Sequence, residues 1–505
     1  MFFENEKENQ TKPSATIINM KTKFAHFKSN RQNAINANRK VVTHIRTIKA
    51  KKLLDPLLVY NAVLLKTKLP ACLLESAVHT GSRGRYSYIC LKGSPFAVMQ
   101  EIEGGSLSSI KDKFSAECPM PHKDLPFIGG AVGYIGHDAI NSIETTVKAN
   151  RVDPFGLPVI ALYFYSSVIV FDHEKNVLHY ISNVETALSE EEGFKKACCE
   201  IEEMEQYVNE SVNTVIPIDK VSVKDVESNL SQAEYEEMVV KAKEHIPKGD
   251  VFQVVLSRRL SVPFEGSGVS FYQALWISNP SRYLFHMRLD ESCRNAVLAG
   301  ASPEIMSDIQ KRKMIIRPLA GTKKRGTTPE EDRQIEEGML CDEKETAEHR
   351  MLVDLARNDI ARFCEAKSIK VTRLMKAEYF RYLMHIGSEV VGKLRKGVHP
   401  LDACVGSLPA GTLSGAPKVR ALQIISEFEP SRRGPYGGAL GWFTDKSLDT
   451  CIFIRSALLL EGKLYWQTGA GIVADSIPKD EYIETENKAK GIMNALKQID
   501  QDHEE

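Results

Sequence analysis

Between Arg85 and Val184 the chain is a succession of strand-length apolar runs, and this succession most restricts the folds open to it. Arg85 to Leu91, Pro126 to Tyr134, Val159 to Phe171 and Val177 to Val184 are rich in β-branched and aromatic residues. Gly, Pro and the turn sequence Asp-His-Glu-Lys-Asn separate them. The longest uncharged stretch, Pro154 to Phe171, is interrupted by Gly156, Pro158, Ser166 and Ser167, so it is too short and too polar to cross a membrane as a helix. Helical patterns flank these strands. Asp55-Pro56 opens one through Leu58, Val59, Ala62 and Leu65, a charged helix is expected over Glu190 to Glu210, and Ser231 with Glu234 makes a capping box for another ending before Gly249. Periodicity therefore gives a mixed α and β chain with no solenoid-length repeat. The best boundary lies in Ser211 to Leu230, where apolar periodicity is lost.

With 505 residues, 43% hydrophobic and 26% charged, the chain has the composition of a globular protein with a sizeable core. Lys+Arg and Asp+Glu both number 66, which gives no support for a nucleic-acid or membrane-surface partner. The ten cysteines show no CxxC spacing, which fits a reducing, cytoplasmic compartment better than a disulfide framework or a zinc site. Asn9 to Leu54 holds eleven Lys or Arg and no acid. That bias resembles a transit peptide, especially from Met20, and keeps a plastid location as the alternative. The strand-like VVTHIRTI from Val41 limits the flexible extension to residues 1–28.

Three segments carry chemistry. In PAGTLSGAPK, from Pro409 to Lys418, Gly411 and Gly415 let backbone N–H groups approach an anion, Thr412 and Ser414 add donors, and Pro417-Lys418 opens a helix through Val419, Leu422 and Ile425. Taken alone, the segment is equally a glycine-rich start of a helix, and its spacing is not that of a nucleotide P-loop. In the helix from Asp342, Glu345 and Glu348 share a face with Leu352 and Leu355. Near the carboxyl end Glu481, Glu484 and Lys488 repeat the arrangement on a face that continues through Ile492 and Ala495. Two such pairs from two helices would suit Mg²⁺. Either pair alone is open to reading as solvent-facing.

The ordered set of motifs resembles the chorismate-utilising enzymes, most closely their anthranilate synthase component I branch. It comprises LLES from Leu73, GRYS from Gly84, GDVFQVVLSRR from Gly249, GASPE from Gly300, RPLAGT from Arg317 and DEKETAEH from Asp342. LMHIGS from Leu383, PAGTLSGAPK, RRGPYGGALGWF from Arg432, DTCIFIRSALL from Asp449 and QTGAGIVADSIPKDEYIETENKAK from Gln467 complete it. The resemblance implies an α+β fold of two orthogonal antiparallel sheets forming a sandwich, with helices outside and the active site in the cleft. It implies an N-terminal region over 29–215 carrying a tryptophan regulatory site, and a chorismate-binding catalytic region over 228–498.

The implied reaction adds ammonia at C2 of chorismate with loss of the C4 hydroxyl, then eliminates pyruvate to leave anthranilate, the first step from chorismate to tryptophan. By matching motif, His385 is the base/acid at the C2 proton, an imidazole expected to titrate near neutrality. Glu304 is the acid for the departing hydroxyl and needs a raised pKa. Gly321 and Thr322 bring donors to the ligand, Thr322 within the catalytic set. Tyr436 and Arg455 hold the enolpyruvyl carboxylate, Gly469 and Gly471 line the site, and Lys488 is a further carboxylate contact. Glu345, Glu348, Glu481 and Glu484 match the Mg²⁺ cradle. Ala320 and Gln253 stand where sister activities carry lysine, which leaves ammonia as the acceptor.

No cysteine sits in a Gly-x-Cys-x-Gly elbow, so the resemblance implies a separate glutamine amidotransferase subunit as ammonia source, in a heterotetramer. Tryptophan, as inhibitor, is expected at Glu75, Ser76, Arg85, Asn279, Pro280, Ser281, Tyr283 and Leu284. There NPSRYL stands for the family's NPSPYM, and Arg282 is expected to loosen the pocket and weaken inhibition.

Overall fold

The computed structural model describes residues 20–78, 82–100, 106–148, 152–380 and 383–504. Its strands form two large antiparallel sheets, of 13 and 10 strands. Along the first, the path from one edge begins with Val41–Lys49, Val177–Glu185, Ser167–Asp172, Tyr86–Leu91 and Ala71–Glu75. It continues through Tyr283–Arg288, Val297–Ser302, Ser456–Leu460 and Lys463–Ile472 to the long strand Gln253–Glu265. The second sheet runs from Leu319–Lys324 and Leu383–Lys393 through Ile305–Gln310, Leu448–Ile452 and Ala439–Phe443 to Gly130–Ile135 and Ile160–Tyr165.

Alternation explains the layering. Tyr88, Cys90, Val168 and Val170 point from the first sheet into one apolar cluster shared with Val132, Ala161, Tyr163, Leu440 and Trp442 of the second. Their sequence neighbours Ile89, Ile169 and Phe171 face the other way, under Tyr60, Ile201, Leu275 and Leu496 from four outer helices. Ala131, Ile160 and Leu162 of the second sheet likewise pack under Phe114, Val353, Ile360 and Leu401. Both faces of each sheet are buried, so strands read as continuous apolar runs rather than alternating ones. The result is a sandwich of two sheets clad in helices, as expected.

Several local expectations need correction. Val159–Phe171 is two strands, Ile160–Tyr165 and Ser167–Asp172, in different sheets, the chain crossing between layers at Ser166. Strands from 29–215 and from 228–498 contribute to both sheets, a mixing on which the two regional bounds made no statement. The flexible extension is not 28 residues long: Met20–Asn36 is a helix, and Phe27, 0% exposed, packs on Phe194 and Val184. Residues 1–19 lie outside the described part. Among the described residues no helix is long and apolar enough to cross a membrane.

Candidate active site

A cavity of about 360 Å³ opens between the sheets, lined by Glu304, Gly321, Thr322, Glu345, Glu348, His385, Tyr436, Arg455, Gly469, Gly471, Glu484 and Lys488. Twelve of the thirteen residues expected in the catalytic, substrate and metal sets thus meet in one place. Glu481 alone is not in the lining.

His385 owes its orientation to a register fault. The strand Leu319–Lys324 pairs with Leu383–Lys393, and the register shifts between Ala320 and Thr322, where Gly321 has φ +59°. The bulge presents the Gly321 carbonyl 3.0 Å from His385 Nδ1, with Thr322 Oγ1 at 3.1 Å from the same nitrogen. A carbonyl only accepts, so Nδ1 carries the proton and Nε2 keeps its lone pair. Burial, then the charge of Arg455, lower the imidazole pKa to about 4. His385 is therefore neutral at pH 7, not titrating near neutrality as its motif suggested, because the sequence does not display its desolvation.

Glu304 moves in the opposite direction. Burial raises its pKa to about 7, against the lowering influence of the Thr412 hydroxyl, the Leu319 N–H, Arg455 and Lys488. Thr412 Oγ1 donates to Glu304 Oε1 at 3.1 Å. This is what PAGTLSGAPK does here. Only Thr412 and Leu413 of the segment line the cavity; Gly415-Ala416 pairs with Gln253-Val254, and Lys418 Nζ is held by Asp359 at 2.7 Å and the Ser407 carbonyl at 2.9 Å. The segment positions an acid and does not offer a ring of free N–H groups.

Arg455 sits in the left-handed region, φ 50°, a costly backbone for a non-glycine residue, and its guanidinium faces the cavity with no salt bridge among the described residues. Beside it Tyr436 presents its hydroxyl to Gly469, where an added Cβ would stand 3.3 Å away. At Gly471 an added Cβ would meet Gln253 Nε2 at 2.5 Å. Two polar atoms on the lining, Gln253 Oε1 and Thr468 Oγ1, are buried without a partner, an expensive state that a polar ligand would relieve. Gln253 and Thr412 were singled out in sequence without being placed in the catalytic, substrate or metal sets, and Thr468 was not singled out at all. Thr412 was visible as a donor in its motif; the orphaned atoms had no signal in sequence.

Beneath the site lies a buried ion pair. Arg433 donates to both oxygens of Glu429, at 2.8 and 2.6 Å, and to the carbonyls of Leu413 and Val255 at 2.7 and 2.8 Å. Glu429 in turn accepts from the Ser257 backbone and hydroxyl at 2.8 and 2.6 Å. A pair so fully bonded escapes the usual cost of buried charge and fixes the Thr412 loop to the long strand.

The carboxylates that would hold a metal are close neighbours but not converged. Glu345 and Glu348 are half-buried, Glu348 accepts from Gln253 Nε2 at 3.1 Å, and Glu484 pairs with Lys488 at 3.2 Å. Among the described residues no three His, Cys, Asp or Glu side chains form a ready metal cluster. Glu481 is turned toward Ser476. The donor chemistry nevertheless fits a hard divalent cation. Burial raises the Glu345 pKa, with Lys323 opposing and Glu348 reinforcing, and burial raises that of Glu481 with Glu484 reinforcing. Both pairs carry repulsion that a cation would offset.

A second cavity, of about 410 Å³, lies between the same sheets. Leu74, Tyr88, Phe285, Leu440 and Trp442 make its walls, and Ser76, Arg85, Pro280, Tyr283 and Leu284 reach it. Asn279 and Ser281 do not. Glu75 touches it only as a sealed wall: its side chain is 0% exposed and accepts from Arg83, Ser87 and Tyr272 at 2.8, 3.0 and 2.7 Å.

Residues 85–494 match the family described as chorismate binding enzyme, and the chain belongs to that family. Within it, proteins sharing most of the chain's length carry the name anthranilate synthase component 1. That of Aquifex aeolicus is 38% identical over 452 residues, covering 86% of this chain and 90% of the relative. That of Lactococcus lactis is 39% identical over 457 residues, covering 87% and 97%. The crystal structure of anthranilate synthase component I from Streptococcus pneumoniae superposes with a TM-score of 0.71 at 34% identity, over 88% of this chain and 99% of that one. A menaquinone-specific isochorismate synthase from Escherichia coli, 16% identical with a TM-score of 0.69 over 93% of this chain and 99% of that one, shares the fold.

Proposed function

We propose that the chain is the aminating subunit of an anthranilate synthase, converting chorismate and ammonia to anthranilate, pyruvate and water. The observation that carries this reading is the opposed tuning of two groups in one cavity: Glu304, raised to about 7, and His385, lowered to about 4 with Nε2 free. At neutral pH one is a proton donor and the other an unprotonated acceptor. Glu304 gives its proton to the C4 oxygen as ammonia bonds to C2 and the ring double bond shifts, releasing water. His385 Nε2 then takes the C2 proton as the bond from ring C3 to the enolpyruvyl oxygen breaks, and the enolpyruvate released takes up a proton at its methylene carbon to become pyruvate. Arg455 takes the enolpyruvyl carboxylate in a bidentate fork, with Tyr436 beside it. Burial is the larger influence depressing His385, and that pairing neutralises the lesser one, the Arg455 charge.

Glu345, Glu348 and Glu484, with Glu481 after a turn of its side chain, would hold Mg²⁺, which supplies charge for the ring carboxylate. Ala320 and Gln253, both on the lining, offer no lysine nucleophile or water-activating base. Ammonia comes from a glutamine amidotransferase subunit in a heterotetramer, and tryptophan inhibits from the second cavity. The test is anthranilate fluorescence from chorismate and Mg²⁺: product with ammonium salt and none with glutamine is expected, and no product with ammonium overturns the reading.

A further inference from the structure

DEKETAEH ends on a histidine that the proposed chemistry does not use. His349 lies on the helix Glu343–Ala361, one residue after Glu348 and one turn after Glu345, so the three share a stripe of that helix. Glu345 and Glu348 line the catalytic cavity, whereas His349 is buried and does not. Its Nε2 lies 2.6 Å from the hydroxyl of Ser388, also buried, on the strand that carries His385. Ser388 is a junction. Its hydroxyl accepts from the Met375 N–H at 2.9 Å, where a register shift between Arg373 and Lys376 leaves Met375 outside the ladder with φ 49°. Its own N–H donates to the Pro318 carbonyl at 3.2 Å, just before the strand Leu319–Lys324. One residue thus ties the helix of the glutamates to both neighbours of the His385 strand.

We propose that His349 is a positioning residue for the metal cradle, its bond to Ser388 setting where Glu345 and Glu348 stand relative to His385. The inference rests on the reading of those glutamates as Mg²⁺ ligands. Three observations carry it. The bond is short, buried and made to a hydroxyl that Met375 already fixes, so the helix cannot slide or turn along the strand without breaking it. The helix needs no polar anchor for burial alone, because Leu352, Val353, Ala356 and Ile360 already bury its apolar face. At His349 the polar choice is costly, since Nδ1 is buried without a partner among the described residues. A side chain that leaves one nitrogen unpaired to make a single bond serves the register which that bond specifies. Finally, the register matters at a definite place. Glu345 Oε2 would stand 3.0 Å from a Cβ added at Gly321, the residue whose carbonyl holds His385 Nδ1. A displaced helix would therefore move a metal ligand and disturb the carbonyl that orients the base.

The test is calorimetric titration of the full chain with Mg²⁺ alone, with circular dichroism as the check on folding. His349→Leu, which fills the space without a polar group for Ser388, is expected to weaken Mg²⁺ binding by about 10–100-fold, and Ser388→Ala by a similar factor. His349→Gln returns a polar group that can reach Ser388, and its Mg²⁺ affinity should lie within about threefold of wild type. A bond that only stabilised the fold would lower the midpoint of chemical denaturation and leave the Mg²⁺ affinity of the folded variants unchanged, which overturns the proposal. So does His349→Gln binding as weakly as His349→Leu. Where one of His349→Leu and Ser388→Ala does not fold, the other decides; if neither folds, the bond holds the fold and not the cradle, and the proposal falls. A wild-type chain that binds no Mg²⁺ sinks the cradle reading and this inference with it, whereas wild-type affinity in both variants sinks the inference alone.

Discussion

The cavity around Glu304 and the cavity around Trp442 share two wall residues, Pro303 and Leu319, yet differ in their walls, the second being the richer in aromatic side chains. The first gathers Glu304, His385, Arg455, Lys488 and three glutamates; the second sets aromatic walls beside Glu75, Arg85, Arg282, Arg317, Glu378 and Asp449. Both lie between the same sheets, so neither depth nor layer distinguishes them. What differs is where desolvation is spent. In the first it drives two titratable groups apart, which is useful only to a reaction. In the second it falls mainly on the aromatic and aliphatic walls of Tyr88, Phe285, Leu440 and Trp442, which suits holding a molecule. A pair of cavities so contrasted, with a common wall, is the arrangement expected of a site that reacts and a site that reports.

The sharpest way to break this contrast is to neutralise the acid. Glu304→Gln keeps the acceptor used by Thr412 and the Leu319 N–H but has no proton of the right acidity, and kcat is expected to fall about 10²–10⁴-fold. Calorimetric binding of tryptophan in the other cavity should be unaffected. The same substitution should stabilise the protein. With its folded pKa near 7 and the ordinary value at 4.5, Glu304 binds more protons folded than unfolded, so stability declines as pH rises from about 4.5 to 7 and stays reduced above. Chemical denaturation at pH 8 should show Glu304→Gln more stable by roughly 1–3 kcal/mol. A variant both inactive and less stable would contradict the assignment of the shift to burial.

Next in size is the metal. Glu348→Gln removes a charge from the half-buried pair, and Mg²⁺ affinity read by calorimetry should weaken by about 10–100-fold with the fold intact by circular dichroism. Unaltered Mg²⁺ binding would move the metal away from these helices. A pH profile sharpens the contrast further. The alkaline limb of kcat/KM for anthranilate formation should fall with an apparent pKa near 7, as Glu304 ionises, and the acid limb near 4, as His385 protonates.

How much of this was legible beforehand follows from what each signal depends on. The helix Glu190–Glu210 and the capping box at Ser231 and Glu234 depend on local bonds and were visible in sequence. The division of Val159–Phe171 was not, because strands buried on both faces lose the polar alternation that would mark a crossing. Residues 20–28 of the helix Met20–Asn36 read as extension because deep contacts along the helix are few: Phe27 and Ala34 are the buried anchors, and basic or polar residues fill most of the rest. In the site, motif order placed the residues in the cavity, but the pKa of His385 and the orphaned Gln253 and Thr468 atoms are created by tertiary burial. Glu75 was placed at the second cavity by its motif, whereas the bonds its carboxylate accepts from Arg83, Ser87 and Tyr272 arise only in the fold.

The smallest expected effect concerns the wall itself. Leu319 lines both cavities, and its backbone N–H bonds the Glu304 carboxylate. Phe380 lines the second cavity and packs edge-on against His385, ring centroids 5.3 Å apart. A molecule filling the second cavity therefore presses on the two groups whose pKa values define the first. Coupling of this kind is typically worth about 1–3 kcal/mol, and it is carried by packing in the shared wall. Leu319→Ala keeps the N–H and removes the packed side chain, so kcat should change by less than about threefold while the tryptophan concentration for half-inhibition rises about 5–50-fold. Tryptophan affinity measured without chorismate should fall less than the inhibition does, since the loss lies in transmission. If instead affinity and inhibition fall together, the wall is only part of the binding surface, and the two cavities communicate by another route.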